Sequence, residues 1–246
     1  PHKTVRRQRQ MCIRDSLSPL TLLAKQLLRE SWQASKLWDD LLPSPLQVTW
    51  TDFFCSLFEV GDFHYRRSLT PSNAVGPPVL IICSDGSKEA YGACAYVRYL
   101  TTTGSYHSTL VMAKSKIGPK ITRSIPQMEL NGAVFASRIK YKIMTESRLK
   151  FSEIYNLTDS EIVLHQINSM ASTFDVYTGV RIGEIQADNV KFPSTWAWIP
   201  GVVNPADMTT RPQPPENISP SSEWFNGPNF FSCLLYTSDA ADERSW

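Results

Sequence analysis

The apolar positions change their period partway along the chain. Over residues 17–33, Leu17, Leu20, Leu22, Leu23, Leu27, Leu28 and Trp32 recur at helical spacing. A second helix is marked by Ser44-Pro45-Leu46-Gln47: a capping serine, a proline at the first helical position and a glutamine placed for a capping box. Leu46, Trp50, Phe53, Phe54 and Leu57 then share one face. Residues 66–78 carry three prolines among small polar residues and read as a linker and domain boundary. Beyond them the pattern turns to strands. Residues 79–84 form a short apolar run, as a strand buried on both faces requires. Residues 92–100 and 106–117 predict two more strands and hence an antiparallel meander. Pro126 opens a long helix over 127–145, and 154–158 is the next strand. Helices over 160–168 and 176–186, a strand over 196–199 and a helix from 205 to 210 complete the order. The order β-β-β-α-β-α-α-β-α predicts an α/β domain, a mixed five-stranded sheet flanked by helices, preceded by a small helical segment. Trp196 and Trp198 alternate with Ala197, so both are expected on one side of the last strand, packed into the core rather than stacked on bases. The Pro-rich stretch 212–220 reads as a linker, and no internal repeat is present.

Composition alters this picture at the two ends. Residues 1–16 and 233–246 resemble peptides that recur when sequencing adaptor is translated by mistake, and are left out of fold reasoning. The first carries five basic residues and one acid, the second one basic residue and three acids, so the chain's 25 basic and 23 acidic residues become 19 of each. The formal charge of +2 falls to zero, and Arg6-Arg7-Gln8-Arg9 loses its meaning as a nucleic-acid arm. Charge therefore favours no partner. Five scattered cysteines without a C-x-x-C pair argue against a disulfide framework or structural zinc and suit a reducing compartment. No apolar run is long enough to cross a bilayer, so no membrane partner is expected.

Four acids carry the candidate chemistry, and each also has an ordinary explanation. Asp85 ends the first strand in Asp-Gly-Ser, a normal turn. Glu129 lies in the first turn of the long helix, where a carboxylate complements the helix dipole. Asp159 follows the fourth strand beside a possible capping box, Thr158-x-x-Glu161. Asp207 sits in Asn204-Pro-Ala-Asp, a good helix start. Taken together, acids ending two strands and opening two helices would converge at one sheet edge. Four carboxylates in one place repel unless cations neutralise them. Two Mg²⁺ ions match them in charge and in oxygen-ligand chemistry, and two such ions serve phosphodiester hydrolysis.

These motifs resemble a known family. Ser84-Asp-Gly-Ser87, Glu129-Leu-Asn-Gly132, Thr158-Asp-Ser160 and Asn204-Pro-Ala-Asp207 resemble, in order, the Asp-Glu-Asp-Asp set of a type 1 ribonuclease H. The chain is more narrowly similar to the Pao/BEL family of LTR-retrotransposon polyproteins, through Ala113-Lys-Ser-Lys-Ile117, Ile125–Val134, Val180–Gln186, Trp198-Ile-Pro-Gly201 and Asp207-Met-Thr-Thr-Arg211. The resemblance covers residues 17–231. It implies a ribonuclease H-like fold and cleavage of the RNA strand of an RNA–DNA hybrid during element replication. Asp85, Glu129, Asp159 and Asp207 would be the metal ligands, for two Mg²⁺ ions with Mn²⁺ as substitute. Gly86, Ser87 and Asn131 would touch the hybrid, where a 2′-hydroxyl distinguishes RNA from DNA. It implies a helical connection over 17–72 following a reverse transcriptase, the ribonuclease H-like domain over 73–212, and a linker over 213–232 toward an integrase. Reverse transcriptase and integrase regions of the same polyprotein are then partners, in cytoplasmic virus-like particles. One departure stands out: no histidine lies between Trp196 and Asp207, where many cellular relatives have one.

Three other readings compete. The region also carries the label of a retrotransposon peptidase, yet an aspartic peptidase needs Asp-Thr/Ser-Gly, and Asp85-Gly86-Ser87 reverses that order. An integrase would order its acids Asp, Asp, Glu and would use Glu184, leaving Glu129 and Asp207 without a role. A non-catalytic module bracing a polymerase is the third.

Overall fold

The computed structural model describes residues 17–34, 37–61, 63–64, 68–120 and 123–232. The two tails set aside above, 1–16 and 233–246, lie outside the described residues. Two helices come first, α1 (Ser18–Ala34) and α2 (Ser44–Gly61). The meander follows as β1 (Ala74–Gly86), β2 (Ala90–Thr101) and β3 (Tyr106–Ile117). Then come α3 (Ile125–Glu146), β4 (Ile154–Thr158), α4 (Glu161–Ile167), α5 (Val176–Lys191) and β5 (Thr195–Trp198). Short 3₁₀ turns and the one-turn helix α6 (Glu223–Asn226) end the described chain. The five strands lie in the order β3-β2-β1-β4-β5. β1 pairs antiparallel with β2 and β2 with β3, while β1–β4 and β4–β5 are parallel. This is the expected mixed sheet.

Alternation along β1 sends its side chains into two different cores. Leu80 and Ile82 pack with Ala95, Val97 and the α3 residues Ala136 and Ile139. Ile81 and Cys83 face the other way, among Tyr96, Leu157 and the α1 residues Leu20 and Leu27. A third cluster, including Leu130, Val134, Val163, Ile182 and Ile185, joins α3, α4 and α5. Trp196 packs against the clusters on the α3 side, as its alternation with Ala197 requires, whereas Trp198, expected in the core with it, is half-buried and joins none of the three clusters.

Several expectations about the connections are corrected. The boundary read over 66–78 gives way to β1 from Ala74 onward, because Gly76-Pro77-Pro78 occupies a register shift between Val75 and Val79. Pairing with β4 starts only at Leu80, so the prolines leave no ladder donor missing on that side. The helical segment over 17–72 is not set apart from the domain, since Leu20, Leu27, Phe53 and Val60 enter the same core as β1. The stretch 213–232 is no free linker: Ile218, Trp224, Phe225 and Phe231 are buried in that core as well. Tyr96 Oη donates to the Trp224 carbonyl at 2.8 Å, and the buried Arg98 reaches the Phe231 carbonyl at 3.3 Å. The helix expected over 205–210 is a single 3₁₀ turn, Pro205–Thr209, capped by Asn204. Finally, α5 runs on past Gln186 to Lys191, where Phe192 and Pro193 end it.

Candidate active site

The end of β1 is where the four acids are brought. Asp85 is next after Ser84, which pairs in parallel register with Thr158, so Asp85 and Asp159 leave adjacent strands side by side. Helix α3 lands on the same spot because two glycines let backbone meet backbone. A Cβ on Gly86 would collide with the backbone of Met128 and Glu129, and one on Gly132 with the backbone of Asp85. Only residues without a side chain permit this approach, and it carries Glu129 to the strand end. The Asn204–Thr210 turn is pegged there too. Asn204 Nδ2 donates to the Ser84 carbonyl at 3.0 Å, and the Thr210 hydroxyl donates to Asp85 Oδ2.

The electrostatics show the convergence. Asp85 is 9 % exposed, and Glu129, Asp159 and Asp207 are half-buried. Burial pushes the Asp159 carboxyl up to about 6, with the Asp85 charge next and that of Glu129 adding to it. Glu129 is raised by burial and then by Asp85, against a lowering hydrogen bond from Ser160. Asp207 is likewise raised by burial and by Asp85, with Arg211 working the other way. All three therefore sense the charge of Asp85, which proximity alone explains. Each of three acids has one oxygen engaged: Glu129 Oε2 accepts from the Ser160 hydroxyl at 2.6 Å, Asp85 Oδ2 from Thr210, and Asp207 Oδ1 pairs with Arg211 at 3.1 Å. Asp159 is held by its own backbone N–H and the Asn204 side chain, which oppose the rise, yet its Oδ1 is buried without a hydrogen-bond partner.

An orphaned buried carboxylate oxygen amid other carboxylates fits a hard cation such as Mg²⁺, whose ligands are oxygens. As they stand, no three acidic, histidine or cysteine side chains among the described residues are drawn tightly enough together to hold a metal ion. Loading would therefore require the carboxylates to come closer together.

The other candidate residues fall out differently. Ser87 is half-buried, its hydroxyl near the Ala90 and Thr210 carbonyls. Gly86 and Asn131 are buried rather than open to a nucleic acid. Asn131 Oδ1 accepts from Arg181 Nε at 2.6 Å, and its amide donates to Tyr177 Oη at 2.9 Å, which ties α3 to α5. Glu184 does not join the acids. It forms a two-point ion pair with Arg138 at 2.5 and 2.8 Å, and that partner holds its carboxyl below the usual range. The site contacts not foreseen are those of Ser160, Thr210 and Arg211; Asn204 was read only as a cap and Trp198 only as a core residue, whereas the Trp198 Nε1 donates to the Asp159 carbonyl at 3.0 Å. Ser160 and Thr210 lie one and three residues after an acid. That spacing does not reveal their carboxylate partners, which are remote in the chain.

No helix among the described residues is long and apolar enough to cross a membrane. No curated protein sequence matches the chain. Among solved structures, the N-terminal RNase H domain of a Mycobacterium tuberculosis protein, fused to maltose-binding protein, is 18% identical, with 54% of this chain and 91% of that chain covered at a TM-score of 0.39. LC11-RNase H1 in complex with an RNA/DNA hybrid is 17% identical, with coverages of 52% and 91% and a TM-score of 0.37. A foamy viral protease-reverse transcriptase in complex with an RNA/DNA hybrid is 10% identical, covering 70% of this chain and 26% of that one at a TM-score of 0.32. A sequence model described as a Pao retrotransposon-like RNaseH-like domain matches residues 14–160, more than half of the chain, taking in Asp85, Glu129 and Asp159 but stopping short of Asp207; the chain belongs to that family.

Proposed function

We propose that this domain is a metal-dependent endonuclease that hydrolyses the RNA strand of RNA–DNA hybrids during retrotransposon reverse transcription. The observation that supports the reading is the placing of Glu129, Asp159 and Asp207 near Asp85 at the end of β1, where burial first and the Asp85 charge after it raise all three carboxyls. A protein gathers so many like charges where a cation is to be held. Asp85, Glu129, Asp159 and Asp207 would hold two Mg²⁺ ions, or Mn²⁺ in their place. When bound, such ions polarise the phosphate and activate a water. The chain's own part is to hold and orient. Asp85, the most buried of the four and the one whose charge the others share, is the centre of the arrangement. Ser87, with surface at the strand end, is the residue suited to touch the hybrid backbone, while Gly86 and Asn131 act indirectly by seating α3. Reverse transcriptase and integrase regions of one polyprotein, within cytoplasmic virus-like particles, are the setting this activity fits.

The test is incubation of the purified chain and Mg²⁺ with a labelled RNA–DNA hybrid, single-stranded RNA and casein. The RNA strand of the hybrid alone should be cut, with loss on EDTA treatment and a fall of roughly a hundredfold or more in Asp85→Asn, as the removal of a metal ligand implies. Pepstatin-sensitive casein cleavage would replace the nuclease with a peptidase. Hybrid binding without cleavage would leave a non-catalytic module.

A further inference from the structure

The four acids are cross-linked in two pairs by hydroxyls, each from a residue close in sequence to one acid and reaching to another. Ser160 follows Asp159 and donates to Glu129 Oε2 at 2.6 Å, across 31 residues. Thr210 comes three residues after Asp207 and donates to Asp85 Oδ2, across 125 residues. Asp85 and Asp159 are already joined through the β1–β4 ladder, so the two hydroxyls connect the remaining acids to that pair.

Thr210 is the better placed of the two. It is 2 % exposed, so no water competes for its proton. Its backbone N–H closes the 3₁₀ turn onto the Asp207 carbonyl at 3.1 Å, and its hydroxyl lies 3.0 Å from that carbonyl oxygen. Its position relative to Asp207 is therefore set by the turn itself. With Asn204 bound to the Ser84 carbonyl at the front of the turn and Thr210 bound to Asp85 at its back, the segment carrying Asp207 is held at both ends against two consecutive residues of β1. Gly92 on β2 makes room for this, since a Cβ there would collide with Thr209.

We infer that Thr210 is a positioning residue: its hydroxyl fixes the rotamer of Asp85 and the distance of Asp207 from it, and so sets divalent-cation affinity. Ser160 does the same for Glu129. A donor hydrogen-bonded to one carboxylate oxygen leaves the other oxygen, and the ligand's orientation, available to a metal. This rests on the reading of the four acids as a cation site.

The test is titration of the purified full chain with Mn²⁺ alone, followed through the EPR signal of the free ion, with no nucleic acid present. Thr210→Val removes the hydroxyl at nearly constant shape and should weaken Mn²⁺ binding roughly tenfold, as loss of an outer hydrogen bond to a metal ligand does. Thr210→Ser should restore it. Melting in EDTA checks that each variant folds, and Ser160→Ala, which removes the Glu129 link instead, is the second variant should Thr210→Val not fold. Wild-type binding with Thr210→Val unchanged, or weakened binding that Thr210→Ser does not rescue, overturns the positioning role while leaving the cation site intact. A wild type that binds no Mn²⁺ overturns the cation site itself, and the positioning role with it.

Discussion

Gly132 sits inside α3, where alanine ordinarily serves a helix better by about 1 kcal/mol. Here the added methyl would meet the backbone of Asp85, which cannot swing aside as a long side chain does. Forcing a group into filled space typically costs about 1–3 kcal/mol, so the steric loss outweighs the propensity gain. Gly132→Ala is expected to destabilise the fold by about 1–2 kcal/mol in urea unfolding. It should also lower hybrid cleavage by lifting Glu129 away from Asp85. Gly183 in α5 is the internal control, because a Cβ there meets nothing within 4 Å. Gly183→Ala should stabilise by up to about 1 kcal/mol. If both substitutions stabilise, the close approach of α3 to β1 is not what brings the acids together.

Helices α3 and α5 are joined by charge as well as by apolar contact. Lys140 is 1 % exposed and reaches Asp188 Oδ2 at 3.0 Å, the Phe192 carbonyl at 2.9 Å and Ser194 Oγ at 2.8 Å. Ser137 donates to the same Asp188 oxygen at 2.7 Å, and Asn156 on β4 donates to Ser194 at 2.7 Å, so the network runs from α3 through α5 to the sheet. Burial lowers the Lys140 pKa, with Asp188 opposing, as expected of a cation that depends on its partner. Removing one member of such a pair strands the other. Lys140→Met should therefore cost about 3–5 kcal/mol, while the double variant Lys140→Met with Asp188→Leu should recover most of the loss. Equal losses in single and double variants, in denaturant melts, would show the pair to be dispensable. None of this was legible in the sequence, where Lys140 is an unremarked position of a long helix. What was legible followed from period: the apolar run of β1, the meander and the helical spacing of α3 place Asp85, Glu129 and Asp159 at element ends without any knowledge of contacts. Asp207 was placed by its capping asparagine and proline, although the turn proved shorter than expected. Ser160 and Thr210 escaped because a hydroxyl's partner is set by tertiary approach, across 31 and 125 residues, and leaves no local pattern.

At the scale of the molecule, one face of the sheet is closed by segments from both ends of the described chain. Helix α1 supplies Leu20 and Leu27, and the stretch after 213 supplies Ile218, Trp224, Phe225 and Phe231 to the same cluster as Ile81, Cys83 and Tyr96. Its prolines and serines gave that stretch the look of a linker, and its apolar residues follow no regular period because they enter the core from 3₁₀ turns and the single turn of α6. Burying a large apolar side chain contributes about 1.5–3 kcal/mol. Four of them together are worth about as much as the 5–15 kcal/mol that separates a folded domain from its unfolded chain. A chain ended at residue 212 is therefore expected to lose its fixed packing although it keeps all four acids. It should keep much of its far-UV circular dichroism, lose its near-UV signal and bind a hydrophobic dye. The milder Trp224→Ala, at a position 1 % exposed, should cost about 3–5 kcal/mol in denaturant unfolding. Both changes lie on the far side of the sheet from α3, in the core that Ala206 and Met208 of the Asp207 turn also join, so cleavage should fall together with stability and be regained when the fold is restored at lower temperature. A truncated chain that melts cooperatively and cleaves at the full-length rate would return residues 213–232 to the status of a linker.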